Sequence, residues 1–503
     1  MKDLLLIQLK GGERGPDQRI MPYGPMQIST IFKEYNFNVT LIDMEMSTYE
    51  DVKELVNKNT FDIFGFSGIS TSFHTLTEIS TLIKENITHD ALFISGGPLS
   101  STYDLILEDN LVDFIFHGEA EVNLPKFLNY LENKEELKNI GGLSYRKDKI
   151  NTVPENILIE TDILYRTKPE KQIADLDIRE FPDYSLIDLN KYTFDLADKL
   201  PSLKEYFGEE HLIFDKVKKL VNNNTGKYIE MHSSIGCTHK CTFCYRHVKG
   251  IRRSSVEYFF DQIKKVQETT HLDGVYVCDE LFNNDLIWVD EFINKFKESG
   301  LSFFKIGGMR VDKINDTLFK KLSDNGCISI NFGHESASND VLKYYKKGIT
   351  KEKNIEAEKL SRKYNMDSTI QLVVGAPVET VESIYETLDF IKATDARIVS
   401  TNWIIPLPET PIWKQVSAKN QISDTREFLK KVYYAGPHYS IGNFSPLSDR
   451  RLSSIAWMVQ RTYLANRLNA GLNVSQKDIE YFYINDSTYE EAYEIFLERG
   501  KNG

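Results

Sequence analysis

The first 131 residues alternate short apolar runs with amphipathic stretches. Residues 4–8, 38–43, 63–67, 92–95 and 114–117 have the length and composition of buried strands, and residues 25–35, 51–58 and 73–85 carry the spacing of helices. That alternation predicts an α/β unit around a parallel sheet. A second alternating series begins at Lys227, with strands expected at 228–234, 274–278, 303–307, 328–332, 368–374 and 397–404. Helices fall between them, among them 315–325, 351–365 and one that Ser254 or Ser255 can cap, running to about residue 269. Six β/α units in a row predict a partial barrel with its chemistry at the C-terminal ends of the strands. The stretch 185–227 interrupts the two series. Within 204–222 an apolar rhythm at Leu212, Phe214, Val217 and Leu220 predicts a helix, read as a surface insertion or, alternatively, a substrate lid. Residues 412–503 are helical and aromatic-rich, as at 425–434 and 448–469.

Composition narrows the class. The chain has 503 residues, enough for about three domains. Hydrophobic content of 41% and charged content of 27% are those of a globular protein, and the net charge of −13 argues against a general nucleic-acid binder. No run approaches the ~18 apolar residues of a membrane span. The apolar start at residues 1–10 is too short for a signal peptide and is better read as a first strand. Five cysteines, three of them packed into one loop, make no disulfide framework and fit a reducing cytoplasm. None precedes position 237 or follows 327, so a second cluster held by protein thiolates has no ligands.

Those three are Cys237, Cys241 and Cys244, in the run Gly-Cys-Thr-His-Lys-Cys-Thr-Phe-Cys-Tyr from Gly236 to Tyr245. A closed structural site takes four ligands, whereas a reactive one keeps a position open. Three thiolates can hold three corners of a 4Fe–4S cluster and leave one iron free. With His232, His239 or His247 the same cysteines could instead bind zinc.

The Cys-x-x-x-Cys-x-x-Cys spacing with its following aromatic resembles the signature of the radical S-adenosylmethionine enzymes. Further strings resemble that family in order and spacing: Arg310-Val-Asp-Lys-Ile, Gly333-His-Glu-Ser-Ala-Ser, Lys347-Gly-Ile-Thr and Gly375-Ala-Pro-Val-Glu-Thr. A zinc loop predicts none of this context. In the first domain, Pro22-Tyr-Gly-Pro, Asp62-Ile-Phe-Gly-Phe-Ser, Ser95-Gly-Gly-Pro, Asp113 and Gly118-Glu-Ala-Glu resemble the cobalamin-binding domain attached to one branch of the family. The resemblance implies an N-terminal Rossmann-like cobalamin-binding domain (1–140), a linker and insertion (141–226), a partial (β/α)6 TIM-type radical barrel (227–411) and a mainly helical C-terminal region (412–503).

Roles follow by the same resemblance. The open iron would chelate S-adenosylmethionine, whose reductive cleavage gives a 5′-deoxyadenosyl radical. Tyr245 would face the adenine, Arg310 the methionine carboxylate, and Glu335 the ribose hydroxyls or amino group. Gly375 and Pro377 would let strand five pass close to the adenosine, with Asp279 and Glu280 also at the cofactor. Ser67, Gly68, Ser70, Gly96, Gly97 and Gly118 would line the corrinoid. No histidine precedes His74, so cobalt could take none from the first loop. Cys278 and Cys327 read as small buried side chains, and His438 as a candidate substrate- or cobalt-facing group. The function implied is methylation of an unactivated carbon of a small-molecule or peptide substrate, with oxidation, cyclisation or ring contraction as the alternative. The expected partner is a one-electron reductant such as flavodoxin or ferredoxin. No nucleic-acid partner is evident.

Overall fold

The computed structural model describes residues 2–12, 19–150, 152–209, 211–435 and 441–472. The chain divides into two compact units, the first built from Met1–Lys191, Tyr245–Arg252 and Leu407–Gly436, the second from Tyr192–Cys244, Arg253–Pro406 and Pro437–Gly503.

The sheet of the first unit is formed by β1 (Lys2–Gln8), β2 (Phe37–Asp43), β3 (Ile63–Ser67), β4 (Leu92–Gly96), β5 (Phe114–Phe116), β6 (Leu143–Arg146), β7 (Ile157–Glu160) and β8 (Leu164–Thr167). Its order is β2-β1-β3-β4-β5-β6-β8-β7. The first five strands are parallel and the last three join antiparallel. Leu4 to Ile7 and Phe114 to Phe116 are buried on both faces, as strands of a helix-covered parallel sheet must be. The chain reverses direction across the sheet between β1 and β3, the place where such sheets open a ligand crevice. Phe32, Phe37, Phe114, Phe127 and Tyr145 anchor one core cluster.

The stretch expected as linker and insertion, 141–226, therefore splits. Its first part extends the sheet of the first unit through strands of four residues each, too short to show a clear period in sequence. Its later part belongs to the second unit.

There, β9 (Thr193–Asp195) runs antiparallel to β10 (Lys227–Met231), followed by β11 (Gly274–Val277), β12 (Phe303–Met309), β13 (Cys327–Glu335), β14 (Asp367–Val374) and β15 (Val399–Trp403). The order β15-β14-β13-β12-β11-β10-β9 keeps the six main strands in sequence and parallel, a curled half-barrel sheet. Ser255 caps the helix Val256–Gln267 by accepting from the backbone N–H of Tyr258 at 3.1 Å.

The two faces of this sheet differ. Outward, Phe304 packs edge-on against Phe292 and Phe296, at 5.2 and 4.8 Å between ring centroids, and Ile370, Leu372 and Val374 meet Ile384, Leu388 and Ile391. Inward stand Glu230, Tyr276, Lys305, Ser329, Asn331, Thr369, Gln371 and, in register with β14, Ser400 and Asn402. Small barrels normally fill this space with branched apolar side chains.

The helices Leu200–Phe207 and Leu212–Asn222 pack at the N-terminal ends of the strands, where Leu203, Ile213, Phe214 and Val217 join Tyr228, Phe303 and Ile328 in one buried cluster. Lys216 donates to the Cys327 carbonyl at 2.6 Å. Residues expected as a surface insertion or lid thus close the bottom of the half-barrel, opposite its mouth.

Candidate active site

The cysteine loop opens at Gly236 and is fastened to the turn after the helix Asn339–Tyr344. Thr242 donates its backbone N–H to the Tyr345 carbonyl at 3.0 Å, and Phe243 meets the Tyr345 ring edge-on at 4.9 Å. None of Cys237, Cys241 and Cys244 is in a disulfide. Burial raises Cys241, against the pull of the Lys347 charge, and burial with Glu280 and the sister thiols pushes Cys244 up to about 12. The three thiols are therefore within electrostatic reach of one another. Among the described residues no three metal-ligating side chains converge on one point as the ligands of a single ion would. A cluster is held at separate corners, and three cysteine thiols on one short loop fit that donor set.

Asp279 is nearly inaccessible, and its oxygens are occupied by the protein. They accept from the backbone N–H groups of Ser233 and Ser234 at 2.7 and 3.0 Å and from the Ser233 hydroxyl, and Arg253 lies 3.2 Å away. The carboxylate so fixes the segment that enters the cysteine loop. Glu280 beside it reaches the surface, yet crowding by the surrounding protein and the Asp279 charge raise its carboxyl.

At the end of β12 the Arg310 guanidinium is held by a two-pronged bond to Asp312, at 2.8 and 2.9 Å, and by the Lys347 carbonyl at 2.9 Å. Its Nη1 edge has no hydrogen-bond partner among the described residues. Glu335 ends β13 with φ of 62°, a conformation costly for a residue with a side chain, and pairs with Lys347 at 2.7 Å. Gly333 makes room for that pair, since a Cβ there would stand 2.6 Å from both Glu335 Oε1 and Lys347 Nζ. After β14, Gly375 donates to the buried Glu379 carboxylate at 3.2 Å, and half-buried Pro377 follows in the same turn. Arg310, Glu335, Gly375 and Pro377 thus all stand at the strand ends of the second unit. Tyr245 instead belongs to the first unit, where burial and the Glu409 charge push its phenol up to about 12.

In the first unit the loops after β3 and β4 are stitched together. Leu99 donates to the Gly68 carbonyl at 2.9 Å, and the hydroxyls of Ser70 and Ser101 lie 2.7 Å apart. Gly97, at φ 74°, leaves its Cβ position 3.2 Å from the Gly68 carbonyl oxygen and 3.5 Å from Ser67 Oγ. Gly96 lies against Phe116. Gly118, at φ 79°, has nothing within 4 Å of its Cβ position. Buried polar atoms without a partner among the described residues include Ser95 Oγ and His247 Nδ1. A glycine shelf in left-handed geometry beside unsatisfied buried polar atoms fits a large flat ligand with amide side chains.

Several residues of the two sites escaped sequence reasoning. Glu119 binds Arg252 through both oxygens, each at 2.6 Å, and also meets Arg179, so the strap 245–252 is clipped to the loop after β5. His117 is buried against Ser144 at 2.7 Å, and burial holds it well below the usual imidazole range. Lys347 opens one of the family-like strings, but its pairing with Glu335 was not among the roles the resemblance implied. Cys327 is fully buried and pushed up to about 12 by burial, and Cys278 is raised by the same cause, so both are inert thiols. His438 lies outside the described residues.

The two units carry the two halves of an α/β cofactor enzyme, a glycine-lined crevice and a thiol-bearing half-barrel. Residues 231–391 match the radical SAM superfamily, and residues 17–128 match the B12-binding domain. The chain therefore pairs a B12-binding domain with a radical S-adenosylmethionine domain and belongs with the cobalamin-dependent radical S-adenosylmethionine enzymes. That pairing implies a 4Fe–4S cluster, S-adenosylmethionine and cobalamin as cofactors, and a reductant. An uncharacterised methyltransferase of Pyrococcus horikoshii is 25% identical over 417 residues, spanning 81% of this chain and 80% of its own. An anaerobic magnesium-protoporphyrin IX monomethyl ester cyclase of Synechocystis is 25% identical over 396 residues, 76% of this chain and 69% of its own. Among solved structures, the radical S-adenosylmethionine methyltransferase TsrM of Kitasatospora setae superposes with a TM-score of 0.61 at 15% identity, over 100% of this chain and 99% of its own. That likeness is one of fold. No helix among the described residues is long and apolar enough to cross a membrane.

Proposed function

We propose that this chain methylates an unactivated carbon of a small-molecule or peptide substrate. The observation that carries the reading is a three-thiol loop, with no fourth ligand grouped with it among the described residues, on a half-barrel whose inner wall is polar. The relatives named as methyltransferases support it. When bound, the cluster would supply the electron that cleaves S-adenosylmethionine, and cobalamin would carry the methyl group. The chain's own part is binding and positioning. Arg310, pinned by Asp312, offers its free Nη1 edge to the methionine carboxylate. Glu335 turns an acceptor toward the ribose or amino group, and the backbone at Gly375 and Pro377 borders the adenosine. Tyr245 offers its aromatic face to the adenine. Asp279 holds the cysteine loop in place, and Glu280 lies within electrostatic reach of Cys244. Ser67, Gly68, Ser70, Gly96, Gly97 and Gly118 form the corrin shelf. A flavodoxin or ferredoxin supplies the electron, in a reducing cytoplasm suited to free thiols.

The test uses S-adenosylmethionine labelled in its methyl group. Label in the product, with 5′-deoxyadenosine formed alongside, supports the reading; substrate consumed without label sinks it. The similarity to a cyclase favours one alternative, an oxidation or ring closure with the same cofactors. Product mass separates the two, because methylation adds a CH₂ equivalent and cyclisation does not.

A further inference from the structure

The inner wall of the second unit carries one row of side chains in direct register across five strands. Glu230 stands opposite Tyr276, Tyr276 opposite Lys305, Lys305 opposite Ser329, and Ser329 opposite Asp367. The row lies one layer above the apolar cluster that seals the bottom of the half-barrel. Lys305 has no carboxylate within ion-pair distance among the described residues. Its ammonium rests 4.7 and 4.9 Å from the ring centroids of Tyr228 and Tyr276, and its one hydrogen bond, to the Tyr228 hydroxyl, is long at 3.3 Å. Asn331 donates to the Tyr276 hydroxyl at 2.7 Å and fixes that ring. Across the row, Asp367 Oδ1 is buried and has no partner among the described residues.

Opposite charges in one layer that do not pair are costly, since a buried acceptor left unmade costs roughly 1–3 kcal/mol. They cannot reach each other because the strand carrying Ser329 separates them, which places their backbones about 10 Å apart at the usual strand spacing. A guest that brings its own opposite charges removes both costs at once. We propose that this floor binds the headgroup of a free α-amino acid, with the carboxylate on Lys305 and the ammonium on Asp367. Tyr276, steadied by Asn331, walls the site, and the side chain of the guest points up toward the strand ends. The inference rests on the reading of the second unit as the substrate chamber, and it deepens that reading by naming a substrate class.

The test is calorimetric titration of the anaerobically reconstituted enzyme, without turnover. The probes are L-norleucine, its N-acetyl derivative and its methyl ester, chosen because an unbranched alkyl side chain asks little of the rest of the chamber. The expected result is saturable binding of norleucine, weakened at least tenfold by either block. Asp367→Asn should erase the penalty of N-acetylation, and Lys305→Met that of esterification. Absence of saturable norleucine binding, or equal affinity for the blocked forms, overturns the proposal. The wild-type series decides even where a variant misfolds. Because no product is measured, this result is independent of the methyl-label experiment: the floor can fail while methyl transfer stands, and the reverse.

Discussion

The two units use the same elements, parallel strands and covering helices, and place their chemistry differently. In the first, the central strands are apolar on both faces, as in the run Leu4-Leu-Leu-Ile7, and small polar residues gather at strand ends, as at Ser67 and Ser95. Glycine and serine gather there, at Ser67, Gly68, Gly96 and Gly97. In the second, the strands are apolar outward and polar inward, and polar side chains run from Asp367 at the start of β14 to Glu335 at the end of β13. On the proposed reading, one sheet supports a flat group at its edge and the other encloses a substrate. The lesson is that the burial pattern along a strand tells which of these a parallel sheet is built for.

The largest predicted effect separates the units outright. Replacing Cys237, Cys241 or Cys244 with Ser should abolish cluster iron and 5′-deoxyadenosine formation while leaving corrin retention intact, measured as bound cobalt after gel filtration. Next is Asp279→Asn. It breaks a buried contact to Arg253 and to the cysteine-loop entry, and should cost about 3–5 kcal/mol in chemical denaturation, with lowered cluster content on reconstitution.

The converse lesion sits on the shelf. Gly97→Ala forces a side chain into left-handed geometry, worth roughly 1–2 kcal/mol, against the Gly68 carbonyl. Corrin retention should fall about tenfold while uncoupled 5′-deoxyadenosine formation is spared; equal loss of both would erase the distinction between the units. The smallest effect is one of pH. Burial raises the Asp367 carboxyl to about 6, while Lys305 opposes the shift. Because the folded form holds that proton more tightly than the unfolded chain, stability should fall as pH rises from about 4 to about 6 and stay lowered above it. The expected size is about 2–3 kcal/mol at most. Asp367→Asn should flatten that part of the curve, read from denaturant midpoints at pH 5 and pH 7.5.

Much of this was legible in the sequence because it rests on local pattern. The six barrel strands, the cysteine loop and the Ser255 cap follow from apolar period, spacing and capping chemistry. The charges at Arg310 and Glu335 stand at strand ends because the strands end there. What was not legible depends on partners far apart in the chain. Strands β6 to β8 are four residues each and take their place only by pairing outward in turn from β5, β6 on β5, β8 on β6 and β7 on β8. The helices at 200–222 look like a surface insertion until Phe214 and Val217 meet Phe303. Asp279 read as a cofactor group, and only the fold shows its oxygens given to Ser233, Ser234 and Arg253. Lys305 and Asp367 could have been suspected, since both occupy inward positions of otherwise alternating strands. Their failure to pair is a matter of register, which no single strand reveals.

The most direct test of the account is the metal content of the anaerobically reconstituted chain. The account predicts about four irons and four labile sulfides, with one iron open to S-adenosylmethionine, together with one tightly held corrin per chain. Stoichiometric zinc without labile sulfide, or a corrin that washes away, would contradict it.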